Sequence, residues 1–285
     1  MQATIRLLGV TLGLLAASGC RRSPQPTLEV IAVFVQKIPL DAHDRAWSDA
    51  PEHMAALLPQ DVVEPRLLQP STPMVRVRAL TDGNELAFRL EWQDPSRDDV
   101  AAPGRFPDAC AVQLPALNSP EPPNPQMGEP GRPVQLTYWR ADWQAWSEGR
   151  RDNIRELYPN ASVDHYPFAA PSLAPGSTAQ KELLRLYAPA EAAGNRRAGP
   201  RASPVEDLVA EGPGTLAPAP QSLSRGKGVF SQGAWRVVLA RSLTRDLGPG
   251  SRSVVAFAVW QGGRQETGAR KMRSGWIPLR LEARR

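Results

Sequence analysis

Residues 74–94, MVRVRALTDGNELAFRLEWQD, constrain the fold of this chain more than any other stretch. Val75, Val77 and Ala79 alternate with Arg76 and Arg78. After Asp82-Gly83, Leu86, Phe88 and Leu90 alternate with Ala87 and Arg89. A period of two sends successive side chains to opposite faces of a strand. An Asp-Gly pair between two such runs is a hairpin turn. The stretch therefore predicts two antiparallel strands with one buried face and one wet face, and such a face needs a second layer to cover it.

Further strands are predicted at 28–40, LEVIAVFVQKIPL, at 108–115, DACAVQLP, and at 133–143, PVQLTYWRADW. Three more follow at 228–243, 253–263 and 275–282. Residues 41–60 read as a turn-rich link around Trp47, and 116–132, ALNSPEPPNPQMGEPGR, is too rich in proline for a regular element. Residues 144–225 resist assignment: 181–189, KELLRLYAP, suits a strand or a short helix, and 205–216, VEDLVAEGPGTL, reads as a segment held by its neighbours with one helical turn. The 30 prolines and 22 glycines demand many turns and long loops. Many strands without βαβ alternation define an all-β chain, an antiparallel β-sandwich with long Pro/Gly-rich loops and a few short helices.

The N-terminus reads as a processing signal. An apolar run from Leu7 to Ala17 follows Arg6 and ends at Ala17-Ser18-Gly19-Cys20, which looks like a bacterial lipobox. Residues 1–19 would be a lipoprotein signal peptide, 20–27 a lipidated Cys20 with its tether, and 28–285 one domain. An ordinary cleaved signal peptide with a nearby cysteine is the alternative. The run is shorter than the ~20 residues a membrane-spanning helix needs. Lipidation would tether the protein to a membrane, with Arg21 and Arg22 beside the headgroups.

Charge and cysteine usage exclude several classes. The net charge is +5 and the arginines are scattered among acids, so no nucleic-acid footprint is present. Cys20 and Cys110 are the only cysteines. They allow no disulfide framework, Cys-rich zinc site, iron–sulfur motif or C-x-x-C-H haem attachment. His43, His53 and His165 are far apart and unpaired by spacing. No acid/base pair, nucleophile motif or phosphate loop stands out, so the chain is expected not to be a catalyst.

Two residues are out of place in such a chain. Lys271 is one of four lysines beside thirty arginines, and it lies between Arg270 and Arg273 in GARKMRSGW, 268–276. Only the amine can lose its proton and offer a lone pair. Met127 lies in the Pro-rich loop, where no apolar stripe explains it. Each alone also reads as an ordinary loop side chain. Together, a thioether and a neutral amine are both axial ligands that a haem iron accepts. Met272 follows Lys271 directly and would point to the opposite face of a strand.

Several stretches, in this order, resemble one family: FPDACAVQLP, MGEPGRPVQLTYWRADW, the Ala-Gly-Asn of 193–195 with SPVEDLVAEGPGTL, GAWRVVLARSL, and VAFAVWQGGRQETGARKMRSGW. It is the haem b-binding gamma subunit of the ethylbenzene dehydrogenase and dimethyl sulfide dehydrogenase type, which accompanies type II molybdenum enzymes of the dimethyl sulfoxide reductase family. The resemblance implies non-covalent haem b in a β-sandwich, with Met127 and Lys271 as axial ligands. It implies a non-catalytic subunit that relays electrons between an iron–sulfur subunit and a c-type cytochrome or quinone system, beside a molybdenum catalytic subunit. Tyr138 and Trp139 alternate in direction, so one of them is expected in the haem pocket. Arg270 and Arg273 are candidate partners of the propionates. The lipobox adds an expected periplasmic, membrane-anchored location. The rival reading is a carbohydrate-binding β-sandwich lipoprotein without haem, using some of the eight tryptophans for sugar stacking.

Overall fold

The computed structural model describes residues 27–150, 160, 174, 176–195, 197, 201–244 and 246–283. Cys20, the rest of the leader and His165 lie outside the described residues. Thr27, the last residue of the expected tether, is bonded to the sandwich: its N–H donates to Glu52 O at 3.0 Å.

Strand β1 is Val30–Phe34 and helix α1 is Arg45–Asp49. Strands β2 (His53–Ala56) and β3 (Leu58–Pro59) follow. The predicted hairpin is β4 (Met74–Thr81) and β5 (Glu85–Gln93). Its turn is closed by Asp82 Oδ1, which accepts from Asn84 N and Glu85 N, while Gly83 takes φ +91°. Next come β6 (Ala109–Pro115) and β7 (Val134–Arg140). Helix α2 (Ala141–Ser147) replaces the end of the strand expected over 133–143. Helix α3 (Thr178–Tyr187) settles the 181–189 ambiguity.

Residues 205–216 are a correction. Val205–Ala210 form strand β8 and not a helical turn, because β7 offers a free edge that pairs with it antiparallel along its length. Strand β9 is Ala217–Pro218. The stretch 228–243 is two strands, β10 (Arg225–Ser231) and β11 (Ala234–Ser242), turned at Gln232-Gly233 with φ of +53° and +66°. The chain closes with β12 (Arg252–Trp260), β13 (Met272–Arg273) and β14 (Ile277–Leu281).

The strands pair in the order β10-β11-β5-β4-β1-β14-β12-β6-β7-β8-β9. Strand β12 is the hinge of the sandwich. Its residues 252–255 pair with β14, and its residues 256–260 pair with β6, so it belongs to both layers. The main core fills the space between the layers: Val75, Val77, Phe88 and Leu90 from one side meet Val112, Trp139 and Phe257 from the other. The Phe88 and Phe257 rings meet edge-on at 5.8 Å. Burying each such side chain stabilises the fold by about 1.5–3 kcal/mol. The expected β-sandwich is therefore present, with one departure: β1 runs parallel to both its neighbours, β4 and β14.

The wet face expected for the hairpin is partly dry. Ile38, from the end of the expected first strand, and Ala42, Trp47 and Ala50, from the supposed link, pack on Leu80, Ala87, Val238 and Ala240. Arg76, Arg89 and Arg236 remain on this face and share the Glu91 carboxylate.

Candidate functional site

The second layer is apolar on both faces, and its outer face is where chemistry collects. Cys110, Val112 and Leu114 of β6 point into the main core, whereas Ala111 and Gln113 point outward. Register then sets two rows. Ala258, Ala111 and Tyr138 lie side by side across β12, β6 and β7. Ala256, Gln113, Leu136 and Leu208 form the next row, ending on β8. Three alanines in these rows leave space above the sheet. A cavity of about 390 Å³ stands there, within the size range of small-molecule and cofactor sites.

The Pro-rich loop forms one wall and is tightly held. Gln113 Nε2 donates to Pro125 O at 2.9 Å, and Trp276 Nε1 donates to Pro123 O at 2.5 Å. Met127 itself takes φ +73°, in the left-handed region that costs a side chain about 1 kcal/mol or more. Met127 O accepts from Gly212 N at 2.8 Å, which ties this strained residue to the loop after β8. Gly128 follows at φ +77°, and a Cβ there would stand 3.0 Å from Ala210 O and Arg132 O, so glycine is required. Met127 is therefore a strained loop residue kept in place by its neighbours.

The opposite wall is the segment between β12 and β13. Trp260 Nε1 donates to Gly268 O at 3.0 Å. Gln60 N donates to Lys271 O at 2.9 Å, and Gln60 Nε2 donates to Ala269 O at 3.1 Å. Lys271 is half-buried, with Nζ 5.2 Å from the centre of the Trp260 ring and 3.8 Å from Met127 Sδ. Burial, helped by the nearby Arg273 guanidinium, pushes its amine down to about 8. Among the described residues no carboxylate forms an ion pair with it. Met272 is fully buried in the main core, on the opposite face from Lys271, as the alternation of a strand requires.

The other candidates divide. Tyr138 lines the cavity between Trp260 and Trp143, meeting both rings edge-on at 5.2 and 5.5 Å. Burial pushes its hydroxyl up to about 12, so it stays neutral. Trp139 does not line the cavity. It is fully buried between the layers, its Nε1 donates to Gln144 Oε1 at 2.9 Å, and its ring meets Trp235 at 5.0 Å. Strand parity allows only one of two adjacent residues on a face, and the core took Trp139.

Arg273 lines the cavity and pairs with Asp61 at 3.1 Å. Arg270 is not among the lining residues; it sits beside Glu266. Its place is taken by Arg140 and Arg197, which the sequence reading missed. Arg140 was within reach of that reading, since it lies two residues from Tyr138 on the same face. Arg197 had no sequence signal. Both are held by buried acids, Arg140 by Asp142 at 2.9 Å and Arg197 by Glu206 at 3.2 Å. No Asp or Glu is among the described residues that line the cavity.

The fold and the site together define a β-sandwich with a cofactor-sized cavity on one sheet face, apolar on its floor and cationic at its edges. The chain belongs to the ethylbenzene dehydrogenase family, whose sequence model matches residues 44–272. It is 25% identical over 260 residues to a Haloferax mediterranei protein named as the respiratory nitrate reductase heme subunit ORF7, covering 89% of this chain and 72% of that one. Similar solved structures include a carbohydrate binding module of family 9 from Caldicellulosiruptor kristjanssonii. Its glucose complex has a TM-score of 0.40 at 9% identity, covering 90% of this chain and 96% of that one. Its cellotriose complex has a TM-score of 0.44 at 10% identity, covering 90% and 95%.

Proposed function

We propose that this chain is a haem-binding, electron-transfer subunit of an oxidoreductase complex, and that it holds haem b non-covalently through Met127 and Lys271. The observation that carries this reading is the meeting of Met127 Sδ and Lys271 Nζ at 3.8 Å inside one cavity. Both side chains are long and unbranched, so they can part around a metal ion by rotamer changes alone. The rest of the cavity suits the same group. Its alanine rows make room for a flat apolar body, and Arg140, Arg197 and Arg273 suit carboxylates at its edge.

Bound haem would supply a reversible one-electron couple. The chain's residues would do the rest. Met127 offers a soft ligand that favours the reduced metal. Lys271 must bind as the neutral amine, and its burial already disfavours the charged form. The apolar floor keeps water out. With Met127 and Lys271 both committed to holding the group, the chain would offer no open ligand position to a substrate, which supports a non-catalytic role.

Membership of the family and the name of the haloarchaeal relative support a place in a respiratory-type complex. In this proposal the partners are a molybdenum catalytic subunit and an iron–sulfur subunit, with a c-type cytochrome or quinone system beyond them. The proposal also includes a periplasmic location with a lipid anchor on Cys20, which rests on the leader sequence alone.

The test is an optical spectrum of the purified protein, produced with ample haem. A Soret band, sharp reduced α and β bands, and haem extractable by acid-acetone are expected. Met127→Ala and Lys271→Ala should each lose or misligate haem, and Lys271→Arg should fail nearly as badly. A featureless spectrum from folded protein would overturn the reading. An unchanged spectrum in Lys271→Arg would overturn the ligand assignment.

A further inference from the structure

The connection between β5 and β6 carries a group of side chains that the cavity does not use. Asp94, Asp98 and Asp108 converge so that one ligand-capable oxygen of each lies within 4.8 Å of the other two. Asp94 and Asp108 are 1% and 0% exposed. Buried carboxylates need hydrogen bonds, a cationic partner or a metal ion. The neighbouring Arg97 and Arg150 both pair with Asp99.

Their hydrogen bonds are unevenly shared. Asp108 accepts from Gly262 N, Asp98 N and Trp235 Nε1, each at 2.8 Å, which is the environment of an anion. Asp98 Oδ2 accepts from Ser96 Oγ at 2.6 Å. Asp94 Oδ1 accepts from Ser96 N at 3.2 Å and from Gln261 Nε2 at 3.3 Å. Asp94 Oδ2, by contrast, is buried with no partner. The Trp92 indole is near enough to act on this carboxyl, yet its Nε1 does not reach hydrogen-bonding geometry and is itself unpartnered. An orphaned oxygen on a fully buried carboxylate that lies beside two more carboxylates is a costly arrangement that an ion would satisfy.

We propose that Asp94, Asp98 and Asp108 bind a hard divalent cation of the calcium type. The donor set is all oxygen, with no imidazole or thiolate, which is what such a cation selects. The cation would join the β5–β6 connection to the end of β12 through Gly262 and Gln261, on residues that do not line the cavity. The site is independent of the haem reading and stands or falls without it.

The test uses the purified haem-free chain, stripped with a chelator at pH 7.5. Terbium is titrated in, and its emission is read through the nearby Trp235, whose indole bonds Asp108. One terbium per chain, displaced by calcium, is expected, together with a melting temperature several degrees higher in calcium than in chelator. Asp94→Asn and Asp98→Asn should each weaken terbium binding by about tenfold or more, because affinity follows the charge of the ligand set. Asp49→Asn, at an exposed helix end, should not. If the variants fail to fold, the wild-type stoichiometry and the calcium-dependent melting shift decide. Equal melting in calcium and chelator with no sensitised emission overturns the proposal. Binding that survives in both variants also overturns it.

Discussion

Gln60 holds Lys271 in place. Its backbone N–H donates to Lys271 O at 2.9 Å, and its side chain donates to Ala269 O at 3.1 Å and Val63 O at 2.8 Å while accepting from Val62 N and Val63 N. The side chain is buried and fully used. Gln60→Leu should therefore leave several buried groups unpaired and cost about 1–3 kcal/mol. It should also free the wall that presents Lys271. We expect a lower melting temperature and faster loss of haem to an acceptor protein, with Lys271 itself untouched.

The cavity has three arginines and no acid among its described lining. If these arginines recognise carboxylates, haem should bind more tightly than its dimethyl ester, which lacks both negative charges. Arg197→Gln should narrow that difference, because Arg197 is the more exposed guanidinium of the Arg140 and Arg197 pair and is the freer to turn toward a ligand. Equal affinities of the wild type for the acid and the ester would argue against the arginines as anion partners. Titration by Soret absorbance measures both.

Lys271 predicts a pH dependence in the haem-free protein. Its amine is held at about 8 in the fold, against an ordinary 10.5. Between those values the unfolded chain carries more protons than the folded one, so stability rises with pH. Below about pH 8 both states are protonated and the penalty is constant. Denaturant unfolding from pH 7 to 10.5 should show this rise, and Lys271→Met should lack it.

Gly228 predicts a packing limit. A Cβ at this position would stand 2.5 Å from Trp139 Cζ2. Trp139 is fully enclosed and bonded to Gln144, which also bonds the Gly228 backbone on both sides, at 2.6 Å each. The ring has nowhere to go, so Gly228→Ala should cost about 1–3 kcal/mol by overpacking. Thermal unfolding measures it, and haem binding should be affected much less than stability.

Local pattern was enough for part of this protein. The alternation in 74–94 determined the β4–β5 hairpin, because a period of two and an Asp-Gly turn are properties of neighbouring residues. Strand parity likewise separated Lys271 from Met272. The rarity of Lys in an Arg-rich chain, and of Met in a proline loop, marked both candidate ligands. What is decided by residues far apart in the chain was not legible. Val205–Ala210 is a strand because β7 has an open edge, and nothing in its own residues says so. Tyr138 and Trp139 were equal candidates until the core took Trp139. Arg197 and Gln60 reach the cavity only through tertiary contacts, and Met127 and Lys271 meet although 144 residues separate them. Periodicity fixes the face on which a side chain stands, but only the packing of the two layers decides which faces enclose a site.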